Sequence, residues 1–207
     1  MTDNSGKIIL DLCGGTGAWS RPYKENGYDV RLITLPDYDV CTYTPPENVY
    51  GILAAPPCTE FSVAKGARPR NLDEGIKPVL GCLRIIWECR LQHKLKFWAM
   101  ENPRGLLRQF LGIPNFTFEQ WQYGGNKRKA TDIWGYCKKP VPSVKAMPKN
   151  MTVKYPNGRA NARDWAKIPC PPEYTDYISQ FHGDAKRAAL RAITPPGFAK
   201  AFFKANK

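Results

Sequence analysis

An α/β fold, with a largely parallel sheet and helices on both faces, is predicted by three stretches of this 207-residue sequence. Residues 7–12 are a short apolar run that gives way to Cys13-Gly14-Gly15-Thr16-Gly17 and then to a helical spacing. That is a strand, a tight turn and a helix in succession. Residues 51–55 are apolar without alternation and stop at Pro56-Pro57, as a strand covered on both faces does when proline ends it. Residues 95–100 repeat the pattern and stop at Glu101-Asn102-Pro103. Buried strands separated by helices define the class.

Taken in order, the spacing predicts a strand over 7–12 and a helix over 18–26, where Trp19 and Tyr23 share a face and Gly27 stops the chain. Tyr28–Leu35 reads as a second strand ended by Pro36. Asp37 and Asp39 follow it, placed as the carboxylates that accept hydrogen bonds from a ribose or an adenine amine commonly are. After the proline-rich 42–48 comes the strand at 51–55, and Cys58 stands on the loop beyond it. A free cysteine is commonly a small core residue. At the carboxyl end of a central strand, however, it lies where open sheets hold their ligands and reactive groups. Lys65, Arg68 and Arg70 make the next loop basic and suit phosphate. Asp73 is predicted to cap a helix running to about His93, with Val79, Leu80, Leu83, Ile86, Trp87 and Cys89 giving it apolar spacing. A helix starting at Arg104 and a strand pair at 117–123 and 131–136 follow. The stretch 138–176 is rich in proline and lysine without periodicity. Helices are expected at 185–192 and 197–205, split by Thr194-Pro195-Pro196.

Residues 1–120 hold 14 Lys/Arg against 13 Asp/Glu, whereas residues 121–207 hold 17 against 5. A net charge of +13 concentrated in the last two-fifths suits a polyanion, and nucleic acid is the usual one. Seven scattered cysteines without a CxxC pair, with only two histidines, disfavour a zinc cage or a disulfide framework. No apolar run approaches the length of a membrane span, and the polar start is not a signal peptide. A reduced cytoplasmic setting is therefore the expectation.

The order Asp11-Leu12-Cys13-Gly14-Gly15-Thr16-Gly17, then Pro56-Pro57-Cys58-Thr59-Glu60-Phe61-Ser62, then Glu101-Asn102-Pro103 resembles the DNA cytosine-5 methyltransferases, in particular small phage-type members. The three motifs cover roughly residues 8–105, and their combination is specific where each alone is weak. Gly124 to Tyr136 is similar to the family's basic strand-pair motif, and Arg191 to Phe203 to its last cofactor-side motif. There are departures. The basic motif is not Gln-x-Arg-x-Arg, the last motif lacks its Gly-Asn pair, and little chain stands in place of a target-recognition region.

The resemblance implies a Rossmann-like sheet that binds S-adenosylmethionine, with a catalytic core at 1–137, a reduced basic insertion at 138–182 and closing helices at 183–207. Cofactor contacts would fall on Asp11, Leu12, Cys13, Gly14, Gly15, Gly17, Val40 and Pro56, with Asp37 or Asp39 near the adenine. Cys58 would be the nucleophile and Glu101 the proton donor to ring nitrogen 3. Asn102 would hold the cysteine loop, and Arg128 or Lys129 would face the carbonyl oxygen of the base. Lys65, Arg68, Arg70, Lys127, Arg128 and Lys129 would contact DNA whose target cytosine is flipped out, within a short recognition sequence. The compartment would be a bacterial or phage-infected cytoplasm. An RNA methyltransferase of the same chemistry, a free-nucleotide methyltransferase and a non-catalytic nucleic-acid-binding module remain as alternatives.

Overall fold

The computed structural model describes residues 3–125, 128–148 and 170–207. Its strands are β1 (Ile8–Leu12), β2 (Asp29–Ile33), β3 (Val49–Ala54), β4 (Phe97–Pro103), β5 (Phe116–Glu119) and β6 (Ala130–Tyr136). They form one six-stranded mixed sheet in the order β2-β1-β3-β4-β6-β5. The first four are parallel neighbours, and β6 runs antiparallel to both β4 and β5. Helices α1 (Arg21–Glu25), α2 (Leu72–Leu91), α3 (Arg108–Leu111), α4 (Thr175–Ser179), α5 (Gly183–Ala192) and α6 (Pro196–Ala205) complete it. This is an α/β fold, consistent with a Rossmann-like arrangement.

Alternation along the strands builds two cores. Leu10, Leu12, Ile52, Ala54 and Met100 point to one face and pack under Val79, Cys82, Ile85, Ile86 and Cys89 of α2. Ile9, Leu53, Phe97, Ala99 and Ile133 point to the other, under Tyr23 of α1 and Phe198 and Phe202 of α6. Phe198 stacks on Phe118 with ring centres 3.8 Å apart. Each such buried ring stabilises the fold by about 1.5–3 kcal/mol through area removed from water. Gly197 lies so close to β5's following turn that a Cβ would sit 1.9 Å from the Tyr123 carbonyl oxygen. Only glycine fits there, and it fixes where α6 begins.

Some boundaries differ from expectation for identifiable reasons. The first helix shortens to five residues, because 13–20 are taken up by turns. Asn71, not Asp73, caps α2, its side chain accepting from the Glu74 N–H at 3.2 Å. Asp73 falls in the first turn instead, where a carboxylate favours the helix dipole. β4 does not stop at Met100 but continues through Glu101, Asn102 and Pro103, because β6 pairs with all three. Residues 171–179 contain a 3-10 turn and α4 where irregular chain was expected. Lys127 and residues 149–169 of the insertion lie outside the described residues.

Candidate active site

The chain leaves β1, crosses to β2 on one side, then returns to β3 on the other, so the strand order reverses between β1 and β3. Outside the carboxyl ends of strands at such a reversal, open sheets form a ligand crevice. Register lines up Leu12, Ala54 and Met100 across the sheet. The residues just beyond them, Cys13, Ala55 and Glu101, therefore share one edge.

At β1, Asp11 is fully buried, and its Oδ2 accepts from Ser20 Oγ at 2.5 Å. Its Oδ1 has no hydrogen-bond partner among the described residues. Burial pushes the carboxyl up to about 6, against the lowering effect of the Ser20 bond. A Cβ on Gly14 would lie 2.4 Å from the Asp11 carboxyl carbon, so the turn closes directly over this carboxylate. Cys13 itself adopts a left-handed φ of 56°, uncommon for a residue with a side chain. Tyr177 of α4 covers the turn, its hydroxyl 3.1 Å from where a Cβ on Gly15 would stand. Tyr174 and Ile178 pack with Ala18 beside it.

Asp37 and Asp39 are both exposed. Asp39 Oδ1 accepts from the Cys41 N–H at 2.9 Å and so closes its own turn. Val40 is buried in the α2 core, and its carbonyl accepts from Arg84. These residues stand after β2 on the crevice side, though their polar groups are in part used locally.

Beyond β3, the buried Asn102 donates from Nδ2 to the Pro56 carbonyl at 3.0 Å, which ties the proline loop to β4. Half-buried Cys58 caps the next turn, its carbonyl accepting from the Phe61 and Ser62 N–H groups at 3.0 and 2.8 Å. Glu101 follows Phe97 and Ala99 onto the α6 face of the sheet, and its Oε2 is buried without a partner among the described residues. Burial raises its carboxyl above the ordinary range, with the Lys129 ammonium pulling the other way. Cys58 feels the same opposition: burial raises its thiol, Lys129 and Arg191 lower it, and Glu101 raises it. Cys58, Glu101, Lys129 and Arg191 thus form one electrostatic cluster. Lys129 Nζ donates to the Arg191 carbonyl at 3.0 Å, whereas Arg128 is exposed.

Glu101, Lys129, Trp19, Gln120 and Thr131 line a cavity roofed by Ala192–Pro195. Its volume is about 10 Å³, room for about one water molecule. The Trp19 indole N–H is buried there with no acceptor among the described residues. Sequence reading gave no site role to Trp19, Ser20 or Arg191. The first two follow the glycine turn closely, and Arg191 opens the last motif.

The basic loop after Cys58 is braced rather than open. Lys65 pairs with Glu60. Arg70 donates to the carbonyls of Glu60, Ser62 and Gly66, and Arg68 to those of Lys65 and Ala64. Their hydrogen bonds shape the loop that carries Cys58.

No protein-family model matches this chain, and no curated protein matches it. Among the described residues, a thiol, a carboxyl of raised pKa and a cation stand near one another at the carboxyl end of the parallel strands.

Proposed function

We propose that this protein is an S-adenosylmethionine-dependent DNA cytosine-5 methyltransferase acting through a covalent Cys58 adduct. The observation that carries the reading is the meeting of Cys58, Glu101 and Lys129 at one sheet edge, with Asn102 anchoring the loop between them.

Carbon 5 of cytosine is a poor nucleophile until a thiolate adds to carbon 6. Burial holds the Cys58 thiol above its ordinary range in the free protein, and Lys129 and Arg191 oppose it, favouring the thiolate, which is the reactive form. Glu101, protonated to higher pH than an ordinary carboxyl, donates its proton to ring nitrogen 3 as sulfur adds. Lys129 faces the carbonyl oxygen and stabilises the charge that gathers there. Carbon 5 would then take the methyl group, leaving the donor a neutral thioether, and give up its proton to water; as the sulfur–carbon 6 bond breaks, nitrogen 3 returns its proton to Glu101 and the Cys58 thiolate is regenerated. The residues around the first turn fit the methyl donor: Asp11 Oδ1 is a buried carboxylate oxygen without a partner among the described residues that its amine would satisfy, and the bare backbone at Gly15 admits close approach once Tyr177 gives way. When bound, S-adenosylmethionine supplies an electrophilic methyl on a sulfonium.

A cavity of about 10 Å³ holds no pyrimidine, so on this reading Ala192–Pro195 swings away as the flipped cytosine arrives. Tyr177 must likewise yield at Gly15. The basic last two-fifths of the chain supplies phosphate contacts whose strength falls with salt. The test is tritiated methyl transfer to DNA, RNA and dCMP in parallel, with 5-fluorocytosine DNA as a trap. The expected result is transfer to DNA and a covalent adduct on Cys58 that is lost in Cys58→Ala. An active preparation that leaves no adduct refutes the nucleophile, and transfer only to RNA or dCMP refutes the substrate.

A further inference from the structure

At the sheet's opposite, amino-terminal edge lies a groove of about 520 Å³, a size that accommodates small ligands. Arg90 and His93 at the end of α2, Trp98 at the start of β4, and Gly135 and Tyr136 at the end of β6 line it. Trp98 and Tyr136 face each other in register across β4 and β6. Gly135, with a φ of 135°, lets β6 close on β4 there, since a Cβ would stand 2.2 Å from the Trp98 carbonyl oxygen.

The groove combines exposed rings with cations. Tyr136 borders the groove and is 74% exposed, so much of its ring is open to solvent there. Trp87, 60% exposed, lies on the adjoining helix face with the Arg90 guanidinium 5.8 Å over its ring. Between positions 90 and 96 the chain carries Arg90, His93, Lys94 and Lys96 and no carboxylate. Cations in the last helical turn complement the helix dipole, but that effect does not reach Lys96 at the entrance to β4.

We propose that this groove is a second nucleic-acid contact, gripping a single-stranded segment with a base stacked on Tyr136 and a phosphate held by Arg90, while the exposed Lys94 and Lys96 of the segment joining α2 to β4 add positive charge nearby. Base faces are available only on an unpaired strand, and aromatic rings interleaved with cations are how unpaired strands are held. The volume admits one or two bases and no duplex. The contact is independent of methyl transfer at the other edge.

The test is photocrosslinking of the full chain to a 5-iododeoxyuridine oligonucleotide, with sites mapped by mass spectrometry, alongside anisotropy of labelled dT12. The expected result is a crosslink at Tyr136 and dT12 affinity about 5- to 150-fold lower in Tyr136→Ala. Tyr136→Phe, which keeps the ring, retains binding and shows that loss in the alanine variant is not misfolding. Crosslinks confined to the Cys58 edge, or unchanged affinity in Tyr136→Ala, overturn the proposal. Displacement of the strand by dTMP at equal nucleotide concentration overturns it in favour of a free-nucleotide site. A concentration-dependent dimer abolished by Tyr136→Ala, with dT12 binding intact, overturns it in favour of a second copy of this chain.

Discussion

Asp11→Asn should make the protein's stability less dependent on pH. The Asp11 carboxyl sits near 6 in the folded chain against 3.8 when free, because it is wholly buried with one hydrogen bond. A raised carboxyl pKa means that the folded state holds its proton the tighter. The stabilising contribution is complete below 3.8 and is lost as pH rises through 6. The full loss is about 3 kcal/mol, at about 1.4 kcal/mol per unit. About 1.4 kcal/mol of it falls between pH 5 and pH 8. Asn does not titrate and still offers Ser20 an oxygen. Urea unfolding of both chains at pH 5, 6, 7 and 8, followed by tryptophan fluorescence at constant m, should therefore show the stability of the Asn variant rising relative to the parent as pH rises. A stability difference, variant minus parent, that stays flat or falls with rising pH refutes the assignment of Asp11 as a buried carboxyl of raised pKa. On the methyltransferase reading the same substitution also abolishes cofactor binding, so the residue would trade stability for a ligand.

Glu101→Gln should lower methyl transfer by about 10²- to 10⁴-fold, the usual worth of a general acid. It should also remove the limb along which kcat/KM falls as pH rises past the raised Glu101 pKa; a parent profile without that limb contradicts the role. Arg108 grips the fully buried Asp132 with two bonds of 2.6 Å, and Thr117 adds a third. Arg108→Met, which strands that charge, should cost about 3 kcal/mol in urea unfolding, and a loss below about 1 kcal/mol would mean that the pair is not decisive. Gly14→Ala forces a methyl into the Asp11 carboxyl and should lower stability by about 1–3 kcal/mol in thermal melts. Gly6→Ala, with nothing within 4 Å, is the matched control and should be near neutral.

Periodicity over short windows was enough to read the α/β class, the buried strands at β1, β3 and β4, the long helix α2 and the candidate residues Cys58 and Glu101, whereas Asp11, inside β1, entered only through the motif resemblance. The others are written locally: an unbroken apolar run, a proline stop, a polar residue just past an apolar run. What the tertiary structure alone decided is how distant segments meet. Asn102 reaches Pro56 across 46 positions and Lys129 reaches Arg191 across 62, and no local pattern encodes either pairing. β6's antiparallel register carried β4 past Met100 and set Glu101 on the α6 face. The same long-range packing placed Tyr177 over the glycine turn and Ala192–Pro195 over Glu101. It also turned the basic loop's hydrogen bonds inward upon its own carbonyls. Local propensity reads one chain segment at a time. Burial, pKa and cavity size depend on everything packed around a group, which is a property of the assembled fold.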